Sequence, residues 1–219
     1  MAPKAVTFSS EAVLLASLDV VRRQGWDALT ARSVARRLGA SVAPVYSAFG
    51  SMENLLRETL VKIRGLLQDY TSRSYSELPF LNNGVGIVSF ARDEPCFFQA
   101  LFQKRHKFQN VVEDVNTAIL SWMKNNAQLG LLTDTARVRL YDSIGFFTMG
   151  LAAAVAAGRV ADVSEKNIVR LLKNVGNALM FAEFSGVSDA GSPESKKKWS
   201  RLLKEKKISF PKSDKANGS

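Results

Sequence analysis

Cysteine and histidine are almost absent from this chain of 219 residues, which has only Cys96 and His106. One cysteine excludes an intramolecular disulfide and a cysteine-rich zinc site. One histidine excludes a His-rich metal site, and a Ser-His-Asp triad would have to use His106, which lies in the basic, surface-like run QKRHKF. We therefore expect neither a hydrolase nor a metalloenzyme, and no cofactor.

Long uncharged apolar runs are also missing. No stretch approaches the roughly 18 apolar residues that a membrane-spanning helix requires, and the segment MAPKAVTFSS lacks the apolar core of a signal peptide. Hydrophobic residues make up 46% of the chain and charged residues 23%, which is typical of a folded globular protein. These features predict a cytoplasmic protein with no membrane partner.

Positive charge is concentrated at the two ends of the chain. Lys and Arg outnumber Asp and Glu by 30 to 20, and the excess is +4 in residues 1–65, +1 in residues 66–186 and +5 in residues 187–219. Basic ends suit a polyanion such as DNA, RNA or an anionic membrane surface. For the basic C-terminal tail, residues 187–219, we favour a solvated helix or a disordered segment.

Apolar residues recur at spacings of three and four over most of the chain, and strand-like alternation persists nowhere, so the pattern predicts an all-α fold. Ser10, Thr30, Ser41 and Ser51 are the expected N-caps of the first four helices, because a side-chain oxygen there can accept a free backbone N–H. Residues 76–86 are interpreted as a loop. The expected helices are Ser10–Gln24, 31–38, Val42–Ala48, 52–67, Val85–Ala91, one beginning at Pro95, Val111–Leu129, 134–157 and 165–185.

Residues 30–49, TARSVARRLGASVAPVYSAF, carry the most informative pattern. Two short helices joined by a tight turn at Gly39 are typical of a helix-turn-helix, whose second helix enters the DNA major groove. An ordinary helical hairpin has the same periodicity and remains an alternative. The candidate DNA-contacting residues are Thr30, Arg32, Arg36, Ser41, Val42, Ala43, Pro44, Tyr46 and Ser47.

The order and spacing of short motifs from Val13 through Leu56 resemble the N-terminal domain of TetR-family transcriptional regulators. The matching motifs are GW at 25–26, LT at 29–30, VA at 34–35, LGAS at 38–41, VY at 45–46, Phe49 and LL at 55–56. Ala48 stands where the family usually has His, and Met52 stands where it usually has Lys. Both family residues commonly touch phosphates, so their loss should lower the number of phosphate contacts.

The resemblance implies a three-helix DNA-binding domain over residues 1–56, whose last helix continues as a linker to about 75. A helical ligand-binding and dimerisation domain would follow over residues 76–186. The family forms homodimers, here through a four-helix bundle of helices 134–157 and 165–185 with their copies; an intrachain core without a dimer is the alternative. The expected interface residues are Leu140, Ile144, Leu151, Val155, Leu171, Val175 and Leu179.

The resemblance also implies a small-molecule effector, and the motif SFARDEP at 89–95 is similar to the ligand-domain pattern of one branch of the family. Aromatic and methionine side chains suit an apolar or aromatic ligand, although core packing is an alternative role for each. Cys96 follows Asp93 and Glu94, which disfavour a thiolate. The candidate pocket residues are Phe90, Cys96, Phe97, Leu101, Phe102, Trp122, Met123, Phe146, Phe147 and Met149.

Together these features imply a ligand-responsive, dimeric regulator that binds double-stranded DNA, namely a repressor released from a pseudo-palindromic operator by a small apolar or aromatic molecule. The alternative is a helical ligand- or protein-binding module of the same fold that does not bind an operator, which Ala48 and Met52 favour.

Overall fold

A computed structural model describes residues 8–104, 107–108, 111, 115–127, 129–185, 197 and 201, and these contain helices and no strand. The predicted all-α fold is confirmed. The α-helices are α1 (Ser10–Gln24), α2 (Ala31–Leu38), α3 (Ala43–Phe49), α4 (Met52–Thr71), α5 (Pro79–Asp93), α6 (Pro95–Phe102), α7 (Val115–Asn125), α8 (Asp134–Ala156) and α9 (Glu165–Phe184), with single 3-10 turns at Trp26–Ala28 and Leu129–Leu131.

Most helix ends lie where local sequence signals put them. The side chains of Thr30 and Ser51 each accept a backbone N–H from the third residue after them, as N-caps do. Gly25 and Gly39 end α1 and α2 with φ angles of 84° and 65°, a region that glycine enters without a Cβ penalty.

Two predicted caps are corrected. Ser9 caps α1, because its Oγ accepts from the backbone N of Ala12 at 3.1 Å, and Ser10 is already the first helical residue. Before α3, the Oγ of Ser41 is 3.4 Å from the backbone N of Ala43, longer than an ordinary hydrogen bond, and the capping position belongs to Val42.

The predicted loop over residues 76–86 is wrong, because α5 begins at Pro79 and contains Asn82 and both following glycines. The Asn82 side chain is buried, and its Oδ1 accepts from the backbone N of Tyr75 at 3.2 Å and of Ser76 at 2.7 Å. This asparagine therefore fastens the preceding turn instead of breaking the helix. The expected helix Val111–Leu129 ends earlier than predicted, since α7 (Val115–Asn125) ends at Asn125 and Leu129 begins a 3-10 turn.

The described part of the chain has one large core and one small one. The small core, on α7 and α8, contains Met123, Leu129, Leu132, Ala136 and Leu140. The large core extends without a break from the N-terminal helices into the middle helices. The domain boundaries at residues 56, 76 and 186 remain predictions. The largest fully buried side chains of the large core are Val13, Val20, Val21, Leu55, Leu60, Ile63, Phe90, Phe97, Phe98 and Ile168.

Among the described helices, α8 is long and apolar enough to cross a membrane by length and composition alone. A core helix of a soluble protein passes the same test, and the first turns of α8 carry four charged residues, so this is weak evidence for a membrane segment. His106 and Gly186 lie outside the described residues, as does the C-terminal tail except for Lys197 and Arg201, which are helical and exposed.

Candidate nucleic-acid interface

The turn between α2 and α3 is built from backbone hydrogen bonds around Gly39. The N–H of Gly39 donates to the carbonyl of Arg36 at 3.2 Å, and the N–H of Ala40 donates to that of Ala35 at 3.0 Å. These bonds occupy carbonyls at the end of α2 and turn the chain sharply into α3. Val45, fully buried on the inner side of α3, then anchors that helix to the core. The arrangement is a helix-turn-helix.

The start of α2 is held by a reciprocal capping arrangement. Thr30 Oγ1 accepts from the backbone N of Ser33 at 3.1 Å, and Ser33 Oγ accepts from the backbone N of Thr30 at 2.9 Å. Ser33 Oγ also donates to the carbonyl of Ala28 at 2.7 Å. Thr30, a predicted DNA contact, therefore has a clear local role, which is to fix where the basic helix begins.

One face of α3 points away from the protein. Val42 and Tyr46, four residues apart, are 38% and 48% exposed, and Ala43 and Ser47 repeat the same spacing on the exposed side. Pro44 is half-buried beside them. The structure thus brings the predicted α3 residues together on one outward surface, with no charged side chain on that helix.

The arginines beside this surface fall into two groups. Asp19 of α1 accepts from the Nε of Arg23 at 2.9 Å and from the Nε of Arg37 at 2.5 Å, so it ties α2 to α1. These two hydrogen bonds lower the pKa of the Asp19 carboxyl. Arg32 and Arg36 are exposed on α2, and neither forms an ion pair with another described residue. They remain available to an external anion.

Sequence reasoning did not identify the buried hydroxyl pair behind the helix-turn-helix. Ser17 of α1 and Thr59 of α4 are fully buried, and their side-chain oxygens are 2.8 Å apart. Each oxygen also lies 2.7 Å from a carbonyl of its own helix, so both stay satisfied in an apolar setting. No local signal links two hydroxyls 42 residues apart.

The ten candidate pocket residues are divided among several places. Six pack in or against the large core: Phe90, Phe97, Leu101, Phe102, Phe147 and Met149. Met123 is buried in the small core, and Cys96 is half-buried at the start of α6. Trp122 is partly exposed and stacks on Phe80 with ring centroids 5.9 Å apart. Phe146 is 77% exposed on α8 and lines an open groove of about 630 Å³.

The residues predicted to form the dimer interface are not the ones that α8 and α9 expose. Leu140 and Val155 are buried inside the chain, because this side of α8 packs on other helices of the same molecule. The other expected residues are half-buried: Ile144, Leu151, Leu171, Val175 and Leu179. The large apolar residues exposed on α8 and α9 are Val138, Phe146, Phe181 and Phe184.

Comparison with known proteins agrees with this geometry. Residues 13–59, which include α2, α3 and the turn between them, match the family model for bacterial regulatory proteins of the tetR family. A TetR-like transcriptional regulator from Rhodococcus sp. RHA1 has a TM-score of 0.58 at 17% identity, over 85% of this chain and 100% of that chain. This likeness shows a shared fold.

A TetR-family regulator from Mesorhizobium loti MAFF303099 has a TM-score of 0.42 at 16% identity, over 79% of this chain and 95% of that chain. None of the curated proteins compared with the sequence matches it. Residues 13–59 therefore match the helix-turn-helix segment of the tetR family of bacterial regulatory proteins, and the chain shares its fold with a TetR-like regulator.

Proposed function

We propose that this protein is a ligand-responsive, homodimeric DNA-binding regulator, a cytoplasmic repressor that a small apolar or aromatic molecule releases from a pseudo-palindromic operator. The observation that carries the DNA-binding part is the outward face of α3, which is anchored by Val45 and flanked by the exposed Arg32 and Arg36. A TetR-family fold supports a DNA-binding regulator, and we expect no catalytic activity.

The chemistry of α3 suits direct contact with bases. Val42 and Ala43 offer methyl groups that can pack on thymine methyls, and the Ser47 hydroxyl can donate to or accept from a base edge. Tyr46, 48% exposed, offers a hydroxyl that can reach a phosphate. Ser41 stands exposed at the entry to the same surface.

The phosphate contacts would come from α2, because α3 has no charged residue. Arg37 of α2 is bound to Asp19, which leaves Arg32 and Arg36 for this role. Arg32 and Arg36 would lie along the backbone on one side of the major groove. Each phosphate that is neutralised steepens the salt dependence of binding by about one counterion, so these two arginines should account for about two units of the slope per protomer.

A homodimer would present two copies of α3 about one DNA turn apart, which requires a pseudo-palindromic site. The apolar side chains that α8 and α9 leave exposed, Phe146 and Phe181 above all, support an interface on these helices. The half-buried Leu151 and Val175 would complete it.

The effector would act by population shift. A molecule bound among the middle helices would favour a state in which the two copies of α3, the reading helices, no longer fit the operator. The helix α4 supports this proposal, because it begins beside α3 and packs on α5 at its other end. The candidate contacts of that molecule are Phe90 and Phe97, buried in the large core, and Phe102, packed against it. Movement of α1 and α4 would then change the distance between the two reading helices.

The test is fluorescence anisotropy with a duplex selected from a random library, in the presence of competitor DNA and at two salt concentrations. The double variant Tyr46→Phe, Arg36→Ala should bind about 10- to 100-fold more weakly and stay folded and dimeric. Arg159→Ala, an exposed arginine between α8 and α9, is the matched control and should bind like the wild type. Unchanged affinity in the double variant would refute the proposed docking.

A module that binds a ligand or protein partner without an operator is the second candidate. Ala48 and Met52, at positions where the family commonly contacts phosphate, are the residues that favour it, and both are half-buried here. If the random library yields no duplex that withstands competitor DNA, this second function is the correct one.

A further inference from the structure

The joint between α5 and α6 is a single residue. α5 ends at Asp93 and α6 begins at Pro95, so Glu94 is at once the C-cap of one helix and the N-cap of the next. Its backbone N–H donates to the carbonyl of Phe90 at 2.8 Å, and its carbonyl accepts from the N–H of Phe98 at 3.0 Å. The angle between the two helices therefore depends on the φ and ψ angles of Glu94, which are −132° and 59°.

The side chain of this residue reaches the end of α1. Arg22 donates from Nε to Glu94 Oε2 and from Nη2 to Oε1, both at 2.8 Å, which is a bidentate pair. The guanidinium also lies 4.9 Å from the centroid of the fully buried Phe97 ring. This planar group is thus held by two parallel hydrogen bonds and by an aromatic face of α6.

Two other ion pairs tie the segment after α6 to earlier parts of the chain, one to the turn after α1 and one to α4. Lys104 pairs with Asp27, and Lys107 pairs with Glu53 at 2.7 Å. All four of these side chains are at least 40% exposed, whereas in the first pair Arg22 is 50% exposed but Glu94 only 19%. Exposed pairs of flexible lysines contribute little, because water screens them and ordering the chain costs entropy.

We infer that Glu94 is a hinge residue that positions the reading head, defined as α1 to α3, through its bidentate bond to Arg22. A rotation at the α5–α6 joint then moves the Glu94 carboxylate, and Arg22 carries that movement to α1. The bond to Arg22 does not depend on DNA binding; only its use in regulation rests on the proposed function.

Amide hydrogen exchange of the full-length protein tests the bond without DNA. Glu94→Gln keeps the side-chain shape and removes the charge, and Arg22→Gln removes the partner. Each variant should speed exchange in α1 to α3 about fivefold and leave α9 unchanged, and the double variant should show no more than the larger single effect. Glu58→Gln is the matched control, because its partner Arg57 lies on the same helix.

The inference is wrong if Glu94→Gln exchanges like Glu58→Gln, or if the two single effects multiply in the double variant. Faster exchange in a protein that binds no duplex would uphold the hinge and reject the proposed function. Normal exchange in a variant of a protein that binds its duplex would reject the hinge alone.

Discussion

Replacing Gly86 by alanine tests how closely α5 crosses α4. A Cβ at this position would lie 2.6 Å from the carbonyl oxygen of Tyr70, 2.6 Å from the Cα of Thr71 and 2.8 Å from its backbone N. These are backbone atoms, so no side-chain rotation can relieve the overlap, and the two helices must move apart. The edge-to-face contact of Tyr70 with Phe90, at 5.5 Å between ring centroids, would be strained by the same movement.

The expected cost follows from two opposing effects. Overpacking a close contact costs about 1 to 3 kcal/mol. Alanine in place of glycine inside a helix stabilises the folded state by about 1 kcal/mol, because glycine loses more backbone freedom on folding. We therefore expect Gly86→Ala to lower the free energy of unfolding by up to about 2 kcal/mol relative to the wild type, and by about 1 to 3 kcal/mol relative to the same substitution at an open helical site.

Urea denaturation followed by circular dichroism, at one fixed protein concentration, measures this change. Gly65→Ala in α4 is the matched control, because a Cβ there meets nothing within 4 Å and the site is exposed. The control should be as stable as the wild type or up to about 1 kcal/mol more stable. A Gly86→Ala protein as stable as Gly65→Ala would refute the close crossing of α4 and α5.

Three further predictions concern the interface and the outer helices. Thr30→Ala should lower the free energy of unfolding by about 1 kcal/mol, measured by urea denaturation, and Thr30→Ser should restore most of it because serine also caps. The bonds from Arg23 and Arg37 lower the pKa of Asp19 in the folded state, so their stabilisation is present above the unfolded pKa of about 3.9 and is lost as the pH falls through the folded value. Urea midpoints measured between about pH 6 and pH 3 should fall more steeply for the wild type than for Asp19→Asn, and parallel curves would contradict this. Phe146→Asp should produce a monomer in light scattering if α8 forms the dimer interface, whereas an intact dimer would place the interface elsewhere.

Local chemistry made the order of the first four helices, and several of their ends, predictable from the sequence. Thr30, Gly39 and Ser51 act within one helical turn of themselves, so their residue types already specify caps and turns. The all-α fold and the position of the helix-turn-helix depend on such short-range signals.

Contacts between distant segments decided the rest. Gly86 and Asn82 are typical loop residues by type, but both lie inside α5. Gly86 leaves room for the backbone of α4, and Asn82 accepts a hydrogen bond from the turn at Tyr75. Leu140 and Phe146 are equally apolar, and only packing against other helices buries the first and leaves the second outside. In the sequence, Arg22 is one of two arginines at the end of a helix, with no sign of a partner. The fold brings Glu94, 72 residues away, within hydrogen-bond distance of it. Burial and pairing with partners remote in the chain are properties of the tertiary structure, because no local pattern encodes which surface will meet which.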